Sequence, residues 1–293
     1  MATVVSILRG AMKRLRKFAY SEAERGPARR PRIGLALSGG FARGIAHIGV
    51  LRVLQDAQIP IDCIAGTSVG ALVAAAYASG VSLEKMEQQA KLTHFNDFGR
   101  WTISFMGLAT NSRLESYLRR YSAMTTFEEM KTPLVIAATD LNTGEAVHFT
   151  QGPLGPALRA SCAYPGLFLP VDYQGHTLVD GFLATPVPVQ AARQLGAELV
   201  IAVHLEPGRA DKPRNMIDVI ARSFNILQRY AHQDWRDEAD VIIEPKVEGL
   251  AWDAFERTPE MIAAGAAAAR LMLPHIRALL GSEPLLRTAD QGA

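Results

Sequence analysis

The sequence predicts an α/β fold with a mainly parallel central sheet. Short apolar runs alternate along the chain with segments of helical periodicity, as expected for strands joined by crossover helices. The first run, residues 33–37, is apolar at every position and ends at Ser38-Gly39-Gly40, which is typical of a buried strand. The chain has 293 residues, of which 48% are hydrophobic and 20% charged, so a mainly disordered protein is excluded.

The predicted elements follow one another from residue 33 to residue 280. Strands are predicted where short apolar runs are bounded by turn residues, at 33–37, 59–65, 134–139, 146–149, 177–179, 199–203 and 241–243. Helices are predicted where apolar residues recur at helical spacing or alanine is frequent, at 43–57, 69–78, 83–92, 113–121, 154–161, 187–195, 216–238 and 259–280. Residues 95–111 have no clear period and are predicted to form a mobile apolar loop.

Basic residues are concentrated at the start of the chain. The net charge is +2, but residues 1–32 hold nine basic and two acidic residues, which leaves the rest negative. On a helical wheel, residues 4–19 separate into an apolar half and a basic half, the pattern of an amphipathic helix in a membrane interface. Residues 3–20 are therefore predicted to contact a membrane surface. Docking of this helix on the body and an organelle transit peptide are the alternatives.

Composition also limits the partners and the compartment. The body after the arm is net negative, so a nucleic-acid partner is not expected. Cys63 and Cys162 form neither a disulfide framework nor a metal site, and they favour a reducing compartment such as the cytoplasm. Peripheral contact with the inner face of the membrane is compatible with this expectation. The sequence contains no run of about 20 apolar residues, so a membrane-spanning helix is not predicted.

The strongest motif is Gly66-Thr67-Ser68-Val69-Gly70, which lies between a predicted strand and a predicted helix. This is the context of a nucleophile elbow, where a sharp turn exposes the serine hydroxyl and the helix N-terminus favours negative charge. Gly66 and Gly70 let the neighbouring backbone pass close to the turn. The motif predicts Ser68 as a nucleophile, and a capping serine in an ordinary turn is the alternative.

A second glycine-rich turn follows the first strand. Its spacing matches neither a dinucleotide fingerprint nor a P-loop, so an oxyanion-binding loop is the better interpretation. Arg43 is expected to orient it, with an ordinary tight turn as the alternative. The expected donors are backbone N–H groups of Gly39, Gly40, Phe41, Ala42, Arg43 and Gly44.

A nucleophilic serine needs a base. Asp180 ends a predicted strand and is followed by Gly181, which permits a close approach. His204 ends a later predicted strand. Residue spacing alone leaves a Ser68–Asp180 dyad and a Ser68–Asp180–His204 triad equally open.

Four blocks of sequence carry a resemblance to a known family. They are residues 34–51, 65–70, 139–144 and 160–181. In this order and spacing they resemble the patatin-like phospholipase family, in its bacterial branch related to neuropathy-target-esterase-like proteins. The resemblance covers roughly residues 32–280 and leaves out the basic arm.

The resemblance implies a three-layer α/β/α sandwich with a Ser–Asp dyad. Ser68 is then the nucleophile, Asp180 the base, and the glycine-rich loop the oxyanion hole, while His204 is not catalytic. The implied reaction is hydrolysis of a phospholipid, lysophospholipid or other acyl ester without metal or cofactor. Together with the basic arm read from the charge pattern, the predicted organisation is an arm and linker at 1–31, a catalytic domain at 32–281 and a tail at 282–293, with the oligomeric state unspecified.

Three residues depart from the family pattern, namely Phe41, Phe182 and Thr185. The family usually has a third glycine at position 41, a small residue at 182 and often an asparagine near 185. If position 41 requires a positive φ, phenylalanine is strained there; alternatively, the two phenylalanines form an apolar wall for an acyl chain. The sequence therefore predicts a serine acyl-ester hydrolase of phospholipase A or lysophospholipase type that works through an acyl-enzyme. A soluble carboxylesterase or thioesterase, and a lipid-binding protein with a weakened active site, are the alternatives.

Overall fold

The computed structural model describes residues 30–281, apart from 103, 121, 207–211, 214–215 and 231–233. Within these residues the strands are β1 Ile33–Leu37, β2 Cys63–Thr67, β3 Arg100–Trp101, β4 Ala109–Thr110, β5 Leu134–Asp140, β6 Ala146–Phe149, β7 Val171–Tyr173, β8 His176–Asp180, β9 Leu199–Val203 and β10 Val241–Ile243. The α-helices are α1 Ala46–Asp56, α2 Val69–Ala78, α3 Leu83–Leu92, α4 Leu114–Arg119, α5 Leu154–Ser161, α6 Val189–Gln194, α7 Met216–Tyr230, α8 Asp234–Glu238 and α9 Thr258–Leu279. The predicted arm at 1–31, except its last two residues, and the predicted tail at 282–293 lie outside the described residues.

The central sheet is mainly parallel, as predicted. Its strand order is β10-β9-β1-β2-β5-β8-β7, and β6 also pairs with β5. The five strands from β10 to β5 are parallel, whereas β8, β7 and β6 join by antiparallel pairing. Because β1 and β2 are adjacent and parallel, the turns that follow them emerge at the same edge of the sheet.

Different helices cover the two faces of the sheet. On one face, Leu35 and Ile64 are fully buried in the larger core, to which α1, α2, α5 and α9 contribute. On the other face, Ala36 and Ala65 pack with residues of α6 and with Ala239 after α8. Since side chains alternate between the faces of a strand, each buried strand supplies both cores. The three-layer α/β/α architecture implied by the family resemblance is therefore confirmed.

Several predicted boundaries are wrong, and local chemistry explains two of them. The strand predicted at 59–65 begins only at Cys63, because Pro60 has no N–H for a strand ladder. The helix predicted at 43–57 begins as a tighter 3₁₀ turn, Phe41–Ile45, before α1. The helix predicted at 216–238 is present as α7 and α8, with residues 231–233 between them undescribed.

The region predicted as an apolar loop has some regular structure. It contains a 3₁₀ turn at Phe95–Asp97 and the antiparallel pair β3–β4. Phe95 stacks on Phe168 with ring centroids 5.9 Å apart, so an aromatic contact distant in sequence holds this region in place. Strand β7 was not predicted. No helix in the described part of the chain has the length and apolar content needed to cross a bilayer.

Candidate active site

Ser68 occupies the sharp turn between β2 and α2. Its backbone angles, φ 57° and ψ −127°, lie in a region that residues with a side chain seldom adopt. Such a conformation costs of order 1–3 kcal/mol. The turn has the strand–turn–helix form of a nucleophile elbow, and its strain falls on the serine.

The two elbow glycines are required by close approach of the backbone. A Cβ on Gly66 would lie 2.5 Å from the Cα of Ala71. One on Gly70 would lie 2.4 Å from the carbonyl oxygen of Leu37, at the end of β1. Backbone atoms cannot rotate away from such contacts. The turn after β2 therefore packs directly on the end of β1.

The Ser68 and Asp180 side chains are in direct contact. The Ser68 hydroxyl donates a hydrogen bond to Oδ2 of Asp180 at 2.7 Å. Asp180 ends β8, whose antiparallel pairing with β5 brings this carboxylate beside the turn after β2. The serine hydroxyl therefore reaches the carboxylate without an intervening imidazole.

Asp180 is almost fully buried, with 1% of its surface exposed. Burial raises the pKa of its carboxyl to about 7, although hydrogen bonds from the Phe182 N–H and the Ser68 hydroxyl oppose the rise. The Phe182 N–H donates to Oδ1 at 2.9 Å, which leaves Oδ2 for the serine. A carboxylate in this environment is a stronger base than an exposed aspartate.

Two residues at the end of α5 also contact Ser68. The backbone N–H of Ser68 donates to the Ser161 hydroxyl at 2.8 Å. The Cys162 thiol forms a hydrogen bond with Ser68, and burial together with the Asp180 charge raises the pKa of this thiol. Cys162 is therefore a neutral neighbour. Both residues belong to the block 160–181, but the sequence assigned neither a role because the contact depends on how α5 packs.

The glycine-rich loop lies against the Ser68 side chain. A Cβ on Gly39 would be 3.2 Å from the Cβ of Ser68. Among the described residues, no acceptor bonds the backbone N–H groups of Gly39, Gly40 and Phe41. These three residues are partly exposed and line a cavity, so their unpaired donors beside a serine hydroxyl make a suitable place for an oxyanion.

Phe41 has the left-handed backbone conformation that the sequence raised as a source of strain. Its φ is 52°, and its ring packs edge-on against Tyr164 at 4.9 Å and Trp252 at 5.1 Å between centroids. Tyr164 in turn contacts Phe182 at 5.8 Å. The backbone strain raised for position 41 is therefore present. Phe41 and Phe182 are joined through Tyr164, but only Phe41 lines the apolar cavity described below, so a wall of both rings around an acyl chain stays a prediction.

The other three residues of the predicted donor loop have different surroundings. The Ala42 N–H donates to the Trp252 carbonyl at 2.9 Å, which removes it from the available donors. Nε of Arg43 donates to the Gly40 carbonyl at 3.4 Å, a contact that suits an orienting role. A Cβ on Gly44 would lie 2.2 Å from Cγ1 of Val69, so Gly44 packs the loop against α2.

His47 supports the same loop, and the sequence did not single it out. It is fully buried, and its Nε2 lies 2.9 Å from the Ser38 carbonyl. Because a carbonyl only accepts, Nε2 carries the proton. Burial lowers the pKa of His47 to about 4, which keeps the ring neutral. This bond fixes the peptide unit that also contains the Gly39 N–H.

His204 is engaged elsewhere. Its Nδ1 lies 3.2 Å from Oε1 of Glu244 and 3.1 Å from Nη2 of Arg236, and its ring packs at a tilt against Trp235, with centroids 5.1 Å apart. Hydrogen bonds from His204 and Arg236 lower the pKa of Glu244 to about 2. The Asp180 oxygens accept from the Ser68 hydroxyl and the Phe182 N–H, so the described contacts join His204 to Glu244 and Arg236 and not to Asp180.

An apolar cavity of about 120 Å³ begins at Ser68 and Asp180. One wall is the face of α2 formed by Leu72, Val73 and Ala76. The opposite walls come from 3₁₀ and helical segments nearby, and they include Ile45, Ile48, Met86, Ala90, Leu114 and Phe168. Most of these residues are aliphatic or aromatic, so the cavity suits a hydrocarbon chain.

A second, more polar cavity of about 640 Å³ shares Phe41 with the first. Gly39, Gly40 and Arg43 also line it, so the unpaired N–H groups lie where the two cavities meet. Among the described residues, no three His, Cys, Asp or Glu side chains come together as metal ligands would.

Comparison with known proteins gives matches to one family. Residues 35–193, more than half of the chain, match the family model described as patatin-like phospholipase. An uncharacterized NTE family protein of Mycobacterium tuberculosis is 36% identical over 188 residues, which are 63% of this chain and 52% of that protein. Lysophospholipase NTE1 of Mycosarcoma maydis is 29% identical over 223 residues, 74% of this chain and 12% of that protein.

Among solved structures, VipD from Legionella pneumophila aligns over 85% of this chain and 67% of that chain, with 14% identity and a TM-score of 0.49. The chain spans about half the length of the mycobacterial relative and a smaller part of the fungal one.

Proposed function

The chain belongs to the patatin-like phospholipase family, and on that premise we propose that it is a serine lipid acyl hydrolase with a Ser68–Asp180 dyad. The observation that carries the proposal is the 2.7 Å hydrogen bond from the Ser68 hydroxyl to Asp180. A relative named a lysophospholipase supports a lipid ester as substrate. In this proposal residues 32–281 are the catalytic domain, and residues 3–20 of the arm add a membrane contact.

The first step is attack of the Ser68 hydroxyl oxygen on the ester carbonyl. Asp180 accepts the serine proton. Its raised pKa favours this transfer, because a general base works best when its pKa lies near the working pH. Negative charge develops on the carbonyl oxygen. The N–H groups of Gly39, Gly40 and Phe41 are the donors for that charge, and one such donor is worth about 10²–10³ in rate.

The first intermediate then collapses to an acyl-enzyme, and water hydrolyses the acyl-enzyme in the second half of the reaction. Asp180 returns its proton to the departing alcohol, which leaves an acyl group on Ser68. Asp180 then takes a proton from water, whose oxygen attacks the acyl carbonyl. When this second intermediate collapses, the bond to the Ser68 oxygen breaks, Asp180 returns the proton to that oxygen, and the fatty acid leaves the restored enzyme. The apolar cavity holds the acyl chain throughout, and the polar cavity accommodates the alcohol side of the ester.

The primary test is labelling of the full-length protein with a fluorophosphonate, followed by mapping of the adduct. We expect the label on Ser68 in wild type and in His204→Ala, and a loss of at least about 10³-fold in Asp180→Asn. Loss of labelling in His204→Ala would contradict the dyad and would indicate a triad. An unlabelled wild type that still binds lipid would favour the alternative of a weakened site, which strain at Phe41 would explain.

A second test addresses the acyl cavity. Ala76 lies eight residues after Ser68, about 12 Å further along the helix. We expect Ala76→Leu to lower turnover of long-chain relative to short-chain esters by about tenfold, because one mismatched methylene group or more is worth that much. An unchanged ratio would place the acyl chain elsewhere and would favour a soluble carboxylesterase.

A further inference from the structure

Exposed apolar side chains are concentrated in two short segments. Eleven large hydrophobic residues are exposed among those that the structure describes, and eight of them belong to the β3–β4 hairpin or to α7. The hairpin patch consists of Trp101, Phe105 and Met106. The helix patch consists of Met216, Val219, Ile226, Leu227 and Tyr230.

The hairpin patch lies at the tip of a connection that is fixed at its base. Phe105 is fully exposed, and Trp101 and Met106 are each more than half exposed. The base is held by hydrogen bonds from Leu108 and Ala109 to the Leu167 carbonyl. Trp101 packs one side on Phe95, with ring centroids 5.2 Å apart, but most of the apolar surface of the three side chains remains exposed. A group of large exposed apolar side chains is typical of a surface that binds a partner or a membrane.

The helix patch lies along one side of α7, where exposed Ser223 interrupts it between Val219 and Ile226. Its residues recur at spacings of three, seven, one and three, which places them on one side of a helix. The opposite side of α7 packs inward, where Phe224 contacts Tyr164 and Phe182, and Gln228 donates to the Phe182 carbonyl. One helix therefore has two apolar sides, one against the site and one exposed.

The two patches flank the loop 164–168 beside the site. Phe168, which lines the apolar cavity, belongs to one aromatic cluster with Phe95 and Ala109 from the hairpin region and with Phe224 from α7. On the α7 side, a Cβ on Gly166 would lie 2.9 Å from Cδ1 of Ile220. Both exposed patches are therefore built on the residues that form the walls of the site.

Charge distinguishes these segments from the rest of the body. Residues 100–110 and 212–230 together contain five basic residues and one acid, Asp218, which is buried. The rest of the chain after residue 32 contains 17 basic and 26 acidic residues. The arm is also strongly basic, so neither the arm nor a second copy of these segments is an electrostatically favourable cover. A negatively charged surface complements all of them.

We propose that the hairpin patch and the helix patch form the surface by which the catalytic body docks on an anionic lipid membrane. Aromatic and aliphatic side chains enter the interface while flanking basic residues meet the lipid phosphates. The inference rests on the proposed function for the source of the substrate, and it differs from the arm contact because it brings the site itself to the lipid. The lipid then enters the apolar cavity beside the loop 164–168.

The experiment measures sedimentation of the full-length protein with vesicles, in a Ser68→Ala background that prevents turnover. Vesicles of phosphatidylcholine alone are compared with an equal mixture of phosphatidylcholine and phosphatidylglycerol. The test variant is Phe105→Ser with Leu227→Ser, and the matched control is Leu271→Ser, another exposed leucine, which lies on α9. We expect the double variant to lose at least about tenfold in partitioning to anionic vesicles, from the transfer of two large side chains, and the control to match the parent.

The same substitutions with Ser68 intact separate docking from chemistry. We expect the double variant to lose phospholipid hydrolysis on vesicles and to keep its turnover of a dissolved short-chain ester. Absent turnover of both substrates in wild type, with patch-dependent vesicle binding, would overturn the proposed function and leave the docking surface standing. Unchanged vesicle binding in the double variant overturns the inference. If vesicle binding is unchanged and sedimentation velocity shows that the double variant is a monomer where the parent is a dimer, the two patches are covered by a second copy of the chain.

Discussion

Two strand-to-helix turns lie side by side at the carboxyl edge of the sheet, and they hold strained residues in different ways. After β2, Ser68 has φ 57° and is confined by glycines two positions away on each side. After β1, Phe41 has φ 52° and is confined by the rings of Tyr164 and Trp252. The first turn is supported by its own motif, and the second by residues more than 100 positions away.

This difference matters because the two turns supply different parts of the proposed chemistry. The Ser68 turn presents the proposed nucleophile, whose position is constrained by close backbone contacts at Gly66 and Gly70. The Phe41 turn presents N–H donors, whose orientation depends on packing of aromatic side chains from elsewhere in the chain. Damage to the first should therefore affect the whole fold, and damage to the second should act more locally.

The largest expected effect comes from the contact that joins the two turns. Gly70→Ala would push a methyl group to 2.4 Å from the Leu37 carbonyl oxygen. We expect a loss of about 3 kcal/mol in the free energy of unfolding, because overpacking against backbone forces the strand ends apart. Gly249→Ala, where a Cβ would meet nothing within 4 Å, is the control. If Gly70→Ala and Gly249→Ala are equally stable in urea denaturation, the close contact between the two turns does not contribute to stability.

The same contrast explains what the sequence could and could not predict. Strand β1 and helix α2 were predicted with their observed bounds and β8 within one residue at each end, because their apolar patterns and glycines are local, whereas β2 begins four residues later than predicted. Ser68 and Asp180 were identified from motifs, and the family resemblance selected the pair over His204. The roles of Ser161, His47 and Trp252 were missed, because each depends on which elements pack together. For the same reason the sequence kept Ala42 among the donors, although its N–H bonds Trp252.

The next effect in size concerns the pH dependence of the dyad. Burial raises the pKa of Asp180 to about 7, so the native state binds a proton that the unfolded state releases near pH 4. Protonated Asp180 therefore adds to the free energy of unfolding at low pH, and this contribution is lost as the pH rises towards 7. Relative to wild type, Asp180→Asn should therefore become more stable by about 2–3 kcal/mol between about pH 5 and pH 8.

Labelling of Ser68 should show the opposite trend, because the reaction needs the ionised carboxylate. We expect the rate of fluorophosphonate labelling to rise about tenfold per pH unit below pH 7 and to level off above it. Guanidine denaturation and labelling can be measured over the same pH series. A stability difference that does not vary with pH would mean that Asp180 titrates like an exposed aspartate.

A smaller effect is expected at the hydrogen bond that supports the Ser68 turn. Ser161→Ala removes the acceptor of the Ser68 N–H, which then lies buried without a partner. We expect a loss of about 1–2 kcal/mol in stability and a lower labelling rate at Ser68. Ser79→Ala is the matched control, since Ser79 is also buried but its hydroxyl bonds only the Ala76 carbonyl of its own helix. Equal labelling rates in the two variants would limit Ser161 to a structural role.

The smallest effect tests the comparison most directly, because it measures backbone strain in each turn separately from side-chain packing. Phe41→Gly and Phe41→Ala both remove the ring, but only glycine adopts a positive φ without cost. We expect Phe41→Gly to be more stable than Phe41→Ala by about 1 kcal/mol, and the same order for Ser68→Gly over Ser68→Ala. Relative to wild type, both Phe41 variants should also lose the packing energy of the ring, whereas the Ser68 variants lose little packing. If alanine equals glycine at position 41 but not at 68, the loop relaxes once its aromatic support is removed, and the strain at Phe41 is imposed by Tyr164 and Trp252 rather than by the turn.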